Sequence, residues 1–169
     1  MKTNGAQRTT GRAIPHLKAR HILVPTDFSS AARRAIRYAR PLAVRCGARL
    51  TLIHVVSPQR YEADYGYGPV VRQRADQQQL TLAARRLRSV GRVAGSGAFP
   101  GERLVRCGDA ATEILRAARE LKTDLIVMGE NPTLSALQTM PQRISGGAPC
   151  RILVVGTNGA QLVKPRKHA

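Results

Sequence analysis

The sequence is poor in aromatic residues: among 169 residues there is no tryptophan, and aromatic side chains make up only 4%. The hydrophobic content of 43% is ordinary for a packed core, which must then be built from valine, leucine, isoleucine and alanine. With so few aromatic side chains, no stacking motif for single-stranded nucleic acid is recognised. No apolar run approaches the roughly 18 residues of a membrane-spanning helix, so no membrane partner is expected.

Cysteine is also scarce, and the three cysteines, Cys46, Cys107 and Cys150, are widely spaced. An odd number without paired spacing favours small buried hydrophobic side chains in a reducing compartment over a metal or redox role. Residues 1–20 lack the apolar segment of a secretory signal. A cytoplasmic location is therefore predicted.

Acidic residues are few: 10 Asp and Glu stand against 28 Lys and Arg, which gives a formal net charge of +18. A charge of this size attracts polyanions without sequence preference. Part of it lies outside the expected domain of residues 18–157, in a basic N-terminal arm (1–17, expected to be disordered) and a basic C-terminal tail (158–169). The two arms predict a weak polyanion contact. Other arginines are interpreted as solvated helix surface, for example Arg33, Arg34, Arg37 and Arg40.

The chain does contain a regular alternation of short apolar runs and amphipathic stretches. The apolar runs predict five strands, at residues 21–24, 49–56, 103–107, 125–128 and 151–155. The amphipathic stretches predict helices at residues 30–46, 70–90, 110–121 and 136–145. Residues 57–69, with several tyrosines and glycines, are predicted to form a mobile loop or a lid. Strands separated by helical crossovers predict an α/β fold: an open parallel five-stranded sheet with helices on both faces, Rossmann-like.

Residues 20–30 (RHILVPTDFSS) carry the most specific signal in the chain. Pro25 cannot donate to a sheet ladder and so ends the first strand. Asp27, Ser29 and Ser30 follow as helix N-cap residues in front of an alanine-rich helix. This strand–loop–helix unit places a carboxylate at the carboxyl end of a strand, where open α/β sheets bind ligands.

These residues resemble the beginning of the universal stress protein family. Further matching segments follow in the family's order, at residues 47–56 (GARLTLIHVV), 108–114 (GDAATEI), 124–129 (DLIVMG) and 148–155 (APCRILVV). The resemblance covers most of residues 18–157 and implies an adenine nucleotide alpha hydrolase-like fold. It also implies a homodimer through the last strand, which is expected to leave an apolar sheet edge at Ile152, Leu153, Val154 and Val155.

The resemblance also implies a nucleotide site. In nucleotide-binding members of the family, the aspartate after the first strand and the backbone at the end of the second strand contact adenine. Asp27 and Val55 occupy these positions, so ATP or AMP is the possible cofactor. Asp27 has an alternative role, since a loop carboxylate also stabilises the N-terminus of the following helix. The candidate nucleotide-binding residues are Pro25, Thr26, Asp27, Val55, Met128, Gly129 and Thr139.

The loop after the fourth strand departs from the family pattern. Binding members carry a glycine, two residues, a second glycine, roughly nine residues and then Gly-Ser or Gly-Thr, so that backbone amides approach the phosphates. This chain has Pro132 at the second glycine and Gln138 and Thr139 at the later pair, so the loop is about four residues short. Pro132 lacks an amide donor, Gln138 obstructs close approach, and Glu130 adds a negative charge.

The altered loop predicts impaired ATP binding. Loss of two phosphate donors at ~1.5–3 kcal/mol each would weaken binding roughly hundredfold to ten-thousandfold. The alternative, that arginines such as Arg106 or Arg143 reach the phosphates instead, stays open.

No catalytic set is recognised, because His54 lies in an apolar strand and Ser29 and Ser30 have no evident histidine partner. We therefore expect a stress-response protein that is not an enzyme and acts by binding and association, with impaired tight ATP binding. The first alternative is an ATP- or AMP-binding regulatory switch. The second is a nonspecific nucleic-acid or polyanion binder that uses the basic arms in a salt-dependent way.

Overall fold

The computed structural model describes residues 8–9, 18–64, 69–74, 77–93, 101–130 and 139–163. Most of the predicted N-terminal arm, the last residues of the predicted tail, and Pro132 and Gln138 of the altered loop lie outside the described residues. The strands are β1 (Arg8–Thr9), β2 (His21–Pro25), β3 (Arg49–Val56), β4 (Gln59–Asp64), β5 (Pro69–Arg74), β6 (Glu102–Cys107), β7 (Leu125–Gly129), β8 (Arg151–Gly156) and β9 (Gly159–Val163). The helices are α1 (Ser30–Cys46), α2 (Gln77–Val93), α3 (Ala110–Glu120) and α4 (Met140–Ser145).

The main sheet has the strand order β1-β9-β8-β7-β2-β3-β6. The five strands β8, β7, β2, β3 and β6 are parallel to one another, which confirms the predicted α/β fold with an open parallel sheet. The predicted total of five strands is too low, because β9 pairs antiparallel with β8 and the two-residue β1 pairs antiparallel with β9. The described part of the chain therefore forms a seven-stranded sheet.

Helices cover both faces of this sheet, as predicted. Successive residues of a strand point to opposite faces. Ile22 therefore belongs to the cluster that α1 and α2 cover with Ile36 and Leu87. Its neighbour Leu23 belongs to the cluster on the other face, which α3 covers with Ile114. Within the described residues, none of the helices is long and apolar enough to cross a membrane.

The segment between β3 and α2 differs from the prediction. The expected loop at residues 57–69 and helix from residue 70 are wrong, because β4 and β5 form an antiparallel hairpin and α2 begins only at Gln77. Val70 and Val71 are β-branched, and such residues favour strands over helices. Their partners lie in β4, so the local pattern around residue 70 does not reveal the pairing.

The C-terminal segment also differs from the prediction. The expected tail from residue 158 contains β9, which is joined to β8 by a tight turn that pairs Gly156 with Gly159. The ordered sheet thus extends beyond residue 157. β9 occupies the hydrogen-bonding side of β8, so the apolar edge expected at residues 152–155 is already covered by the same chain.

A buried polar cluster closes the amino ends of β2 and β7. His21 is only 2% exposed. Its Nδ1 lies 2.9 Å from the Leu121 carbonyl oxygen and its Nε2 lies 2.8 Å from Thr51 Oγ1. Asp124 Oδ2 accepts the backbone N–H groups of Arg20 and His21. The Arg20 bond is the main reason that the pKa of Asp124 is lowered. These contacts occupy the amino ends of the strands, so a ligand site is expected at the carboxyl ends.

Candidate functional site

A crevice of ≈ 340 Å³ opens at the carboxyl ends of β2, β3 and β7. This is the edge at which open α/β sheets bind ligands. The volume lies near the lower end of the roughly 300–1,000 Å³ that small-molecule sites occupy. All the candidate residues from the sequence line the crevice, namely Pro25, Thr26, Asp27, Val55, Met128, Gly129 and Thr139. The fold therefore brings separate sequence segments to one place.

The loop after β2 holds Asp27 at the mouth of the crevice. Asp27 is exposed, and its Oδ1 accepts the Ser29 N–H at 2.9 Å. Ser29 in turn caps α1, since its Oγ accepts the Ala32 N–H at 3.2 Å. One carboxylate oxygen of Asp27 therefore bonds to the N-cap residue of α1 and not to an N–H group of the helix itself. The other oxygen has no donor among the described residues and can accept from a ligand.

His54 forms part of the crevice wall, where the sequence suggested only a structural strand residue. Its Nδ1 donates to the Thr26 carbonyl oxygen at 2.7 Å, because a carbonyl can only accept. The Phe28 ring packs against the imidazole with 4.4 Å between ring centroids. Phe28 also has a left-handed backbone with φ 66, which is uncommon for a non-glycine residue. His54 and Phe28 together fix the loop that carries Asp27.

Gly129 is required by close packing at the floor of the crevice. A Cβ at this position would overlap the carbonyl group of Ala31 in the first turn of α1 and lie 2.9 Å from the Ala32 nitrogen. Only glycine lets the end of β7 approach the helix this closely. The next residue, Glu130, is fixed through its backbone, since its N–H donates to the Val155 carbonyl and its own carbonyl accepts from Arg34. Gly129 therefore has a structural role that does not depend on a ligand.

Thr139 reaches the crevice as the N-cap of α4. Its backbone N–H donates to Gln142 Oε1 at 3.1 Å, so this donor is already engaged. Pro141 lies in the first turn and has no N–H to offer. The start of α4 consequently presents few free donors to an anion.

Arg143 lines the crevice but is held by an ion pair. Its Nη2 donates to Asp109 Oδ2 at 2.9 Å. Asp109 also caps α3, and its pKa is lowered from 3.8 to about 2, first by the hydrogen bond from the Thr112 N–H and then by that from Arg143. Because the folded-state pKa lies below the unfolded one, the resulting stabilisation is present above about pH 4 and is lost as the pH falls towards 2.

The charge balance of the crevice follows from these contacts. The described lining includes two acidic residues, Asp27 and Glu130, and a single arginine, Arg143. Arg106, the other arginine considered as a phosphate ligand, forms a 2.5 Å ion pair with Glu120 and does not line the crevice. Among the described residues, no group of three or more His, Cys, Asp or Glu side chains is arranged to hold a metal ion.

Comparison with solved structures gives the same fold. A universal stress protein in complex with cAMP aligns with a TM-score of 0.62 and 22% identity, covering 82% of this chain and 97% of that chain. A family member from Burkholderia pseudomallei aligns with a TM-score of 0.54 and 27% identity, covering 83% and 98%. One from Arabidopsis thaliana with AMP bound aligns with a TM-score of 0.53 and 16% identity, covering 82% and 92%. These likenesses confirm the predicted adenine nucleotide alpha hydrolase-like fold.

Sequence comparison identifies the family of the chain. No curated protein matches this chain. The sequence model of the universal stress protein family matches residues 18–156, which include the motifs after β2, β3 and β7. The fold, the crevice and this match agree, and the chain therefore belongs to the universal stress protein family.

Proposed function

We propose that this chain is a cytoplasmic, non-catalytic protein of the stress response that acts by binding and association and does not bind ATP tightly. The observation that carries the proposal is the charge of the crevice. Two acidic residues, Asp27 and Glu130, belong to the lining of the crevice, while Arg143 is engaged by Asp109. A triphosphate would add negative charge to this wall, and like charges brought together at short distance repel.

The second candidate is a regulatory switch that binds AMP. The base end of the crevice supports it, because Asp27 keeps one free carboxylate oxygen and Val55 lies half-buried at the end of β3. Two similar structures were solved with cAMP and with AMP, ligands that carry a single phosphate group. A single phosphate brings less charge towards Glu130 than a triphosphate does.

Isothermal titration calorimetry with adenosine, AMP and ATP plus magnesium tests both candidates. Under the first, the crevice binds ATP no more tightly than AMP, so Asp27→Asn leaves any affinity for ATP unchanged. Under the second, AMP binds measurably, and Asp27→Asn removes this binding. This variant should keep the fold, because the asparagine oxygen still accepts the Ser29 N–H. It should lose AMP, because the amide NH2 group that replaces the second oxygen cannot accept a hydrogen bond from the adenine amine.

Each of these claims has an outcome that contradicts it. ATP binding at least tenfold tighter than AMP binding, and lost in Asp27→Asn, would overturn the first candidate. Absence of AMP binding, or AMP binding unchanged by Asp27→Asn, would remove the second. Release of ADP from ATP faster than in a protein-free blank would contradict the absence of turnover.

We also propose that two copies of the chain associate. Because β9 covers β8, residues 152–155 form the contact between copies only if β9 moves aside, and otherwise the outer part of the sheet or another surface forms it. Native mass spectrometry of the full chain reports the subunit number together with any co-purified nucleotide. A mass of one 18.4 kDa chain at all concentrations would contradict the homodimer.

The polyanion alternative concerns the ends of the chain. Lys164, Arg166 and Lys167 lie outside the described residues, and so do residues 1–7. Removing 1–7 and 164–169 spares β1 and β9 and should abolish salt-dependent binding to nucleic acid if the arms cause it. Unchanged affinity in the shortened chain would count against this alternative.

A further inference from the structure

A second recess, distinct from the crevice, lies between α1 and α2. Its volume is ≈ 350 Å³, and it shares no lining residue with the crevice. The apolar part of its lining comes from Ile36, Val90 and the Phe28 ring. The rest includes three exposed arginines, Arg33 and Arg37 of α1 and Arg86 of α2. We call this site the arginine recess.

Within the part of the chain that the structure describes, the charge of the arginine recess is not compensated by an acidic residue. None of the described lining residues is acidic, and none of the three arginines forms an ion pair with a described residue. Arg33 and Arg37 are four residues apart on one helix, where like charges repel. Arg86 adds a third positive charge from the facing helix. An arrangement of this kind is stabilised by an anion placed among the guanidinium groups.

Two of the guanidinium groups are positioned by a single residue. Arg33 Nη1 donates to the Phe28 carbonyl oxygen at 2.7 Å, and the Arg86 guanidinium lies 4.7 Å from the centroid of the Phe28 ring. Phe28 makes both contacts from its left-handed backbone conformation. Strained residues of this kind persist where the surroundings hold them and are frequent at ligand sites. The arginines are therefore oriented before any ligand arrives, which lowers the entropy lost on binding.

We infer that the arginine recess binds a small organic anion with two or more phosphate groups. A planar guanidinium group can donate two parallel hydrogen bonds to two oxygens of a phosphate group. Three guanidinium groups therefore match a di- or triphosphate better than a single carboxylate. The apolar part of the lining suits the organic portion of such a ligand. The recess has a volume of ≈ 350 Å³ and three arginines among its seven described lining residues, which favours a compact ligand over an extended polymer.

Inorganic tripolyphosphate is the probe, because it lacks the base that the crevice is proposed to bind. It is titrated into the full-length protein and followed by calorimetry and by NMR signals of the arginine side chains. The test variant is Arg33→Gln combined with Arg37→Gln. The control is Arg45→Gln combined with Arg88→Gln, which removes the same charge from exposed positions of the same two helices outside the recess.

We expect the test variant to bind at least about tenfold more weakly, with the control changing the affinity less than about twofold, because each lost guanidinium removes a charge-assisted hydrogen bond. Equal weakening in both double variants would show a general charge effect and overturn the inference. It would also be overturned if tripolyphosphate did not bind, or if its NMR shifts centred on Arg143 of the crevice. The same variants distinguish the two sites for ATP. ATP bound in the recess would still bind to Asp27→Asn, whereas ATP bound in the crevice would not.

Discussion

Gly129→Ala is the most direct test of how the crevice is built. The added Cβ would meet the Ala31 carbonyl group and come within 2.9 Å of the Ala32 nitrogen. These are backbone atoms of the first turn of α1, so no side-chain rotation can relieve the overlap. Either β7 or the start of α1 must shift, and β7 lies inside the sheet between β2 and β8.

The expected loss of unfolding free energy in Gly129→Ala is near the upper end of the range measured for overpacked cores. Inserting one carbon into a packed site costs about 1–3 kcal/mol and occasionally more. We expect Gly129→Ala to lower the free energy of unfolding by about 3 kcal/mol, because backbone must move. For a domain of this size this corresponds to a fall of about 6–12 °C in Tm.

Urea unfolding followed by circular dichroism measures this change. Gly146→Ala is the matched control, because Gly146 follows α4 with an ordinary φ of −69° and a Cβ there would meet nothing within 4 Å. The control should be neutral or gain up to about 1 kcal/mol, since alanine restricts the unfolded chain. Equal stability of Gly129→Ala and the unchanged protein would refute the close approach of β7 to α1.

Three further predictions concern stability and reactivity. At pH 7, Asp109→Ala should lower the free energy of unfolding by about 1 kcal/mol through loss of the α3 cap, and the difference should narrow between about pH 4 and pH 2; a constant difference across this range would contradict the lowered pKa of Asp109. Burial raises the pKa of the Cys150 thiol to about 11, so Ellman's reagent at pH 8 should titrate Cys150 only after unfolding, and its rapid reaction in the native protein would refute this. Leu87→Ala should cost about 2–5 kcal/mol by thermal or urea unfolding. Leu82→Ala, at a site that is 57% exposed, should stay within about 0.5 kcal/mol, and similar losses in both would contradict the packing of α2.

The sequence predicts the parallel core of the fold well. The bounds of α1 and β3 agree with the predicted ones, because local signals determine them. Ser29 caps α1, Gly47 ends it in the left-handed conformation at φ 63, and the apolar run of β3 is covered on both faces. The same local signals place Asp27 and Gly129 at strand ends, whereas the family resemblance supplied the nucleotide-binding role and added Thr139 to the candidates.

Pairing between strands is less visible in the sequence. β5 lies in a segment whose predicted helix begins at residue 70, and only its pairing with β4 identifies it. β9 has mixed polarity and was assigned to the tail, although Asn158-Gly159 after an apolar strand is a known hairpin signal. The missed strand matters for association, because it covers the edge predicted to be free.

Charge placement could not be predicted from composition. The formal charge of +18 indicates an affinity for anions but not where an anion would sit. Arg143 and Arg106 are paired with acidic residues, whereas Arg33 and Arg37, interpreted as solvated surface, line a recess. Such pairing depends on which helices become neighbours in the fold, and a single sequence does not contain that information locally.

The hairpin of β8 and β9 has a practical consequence for anyone who shortens this chain. The family match ends at residue 156, so trimming to that boundary removes all of β9. The backbone amides and carbonyls of β8 that β9 satisfies would then face solvent beside Ile152 and Leu153, and such edges template the addition of strands from other molecules. A protein cut at the family boundary should therefore precipitate on concentration, whereas one ending after Val163 should stay in solution.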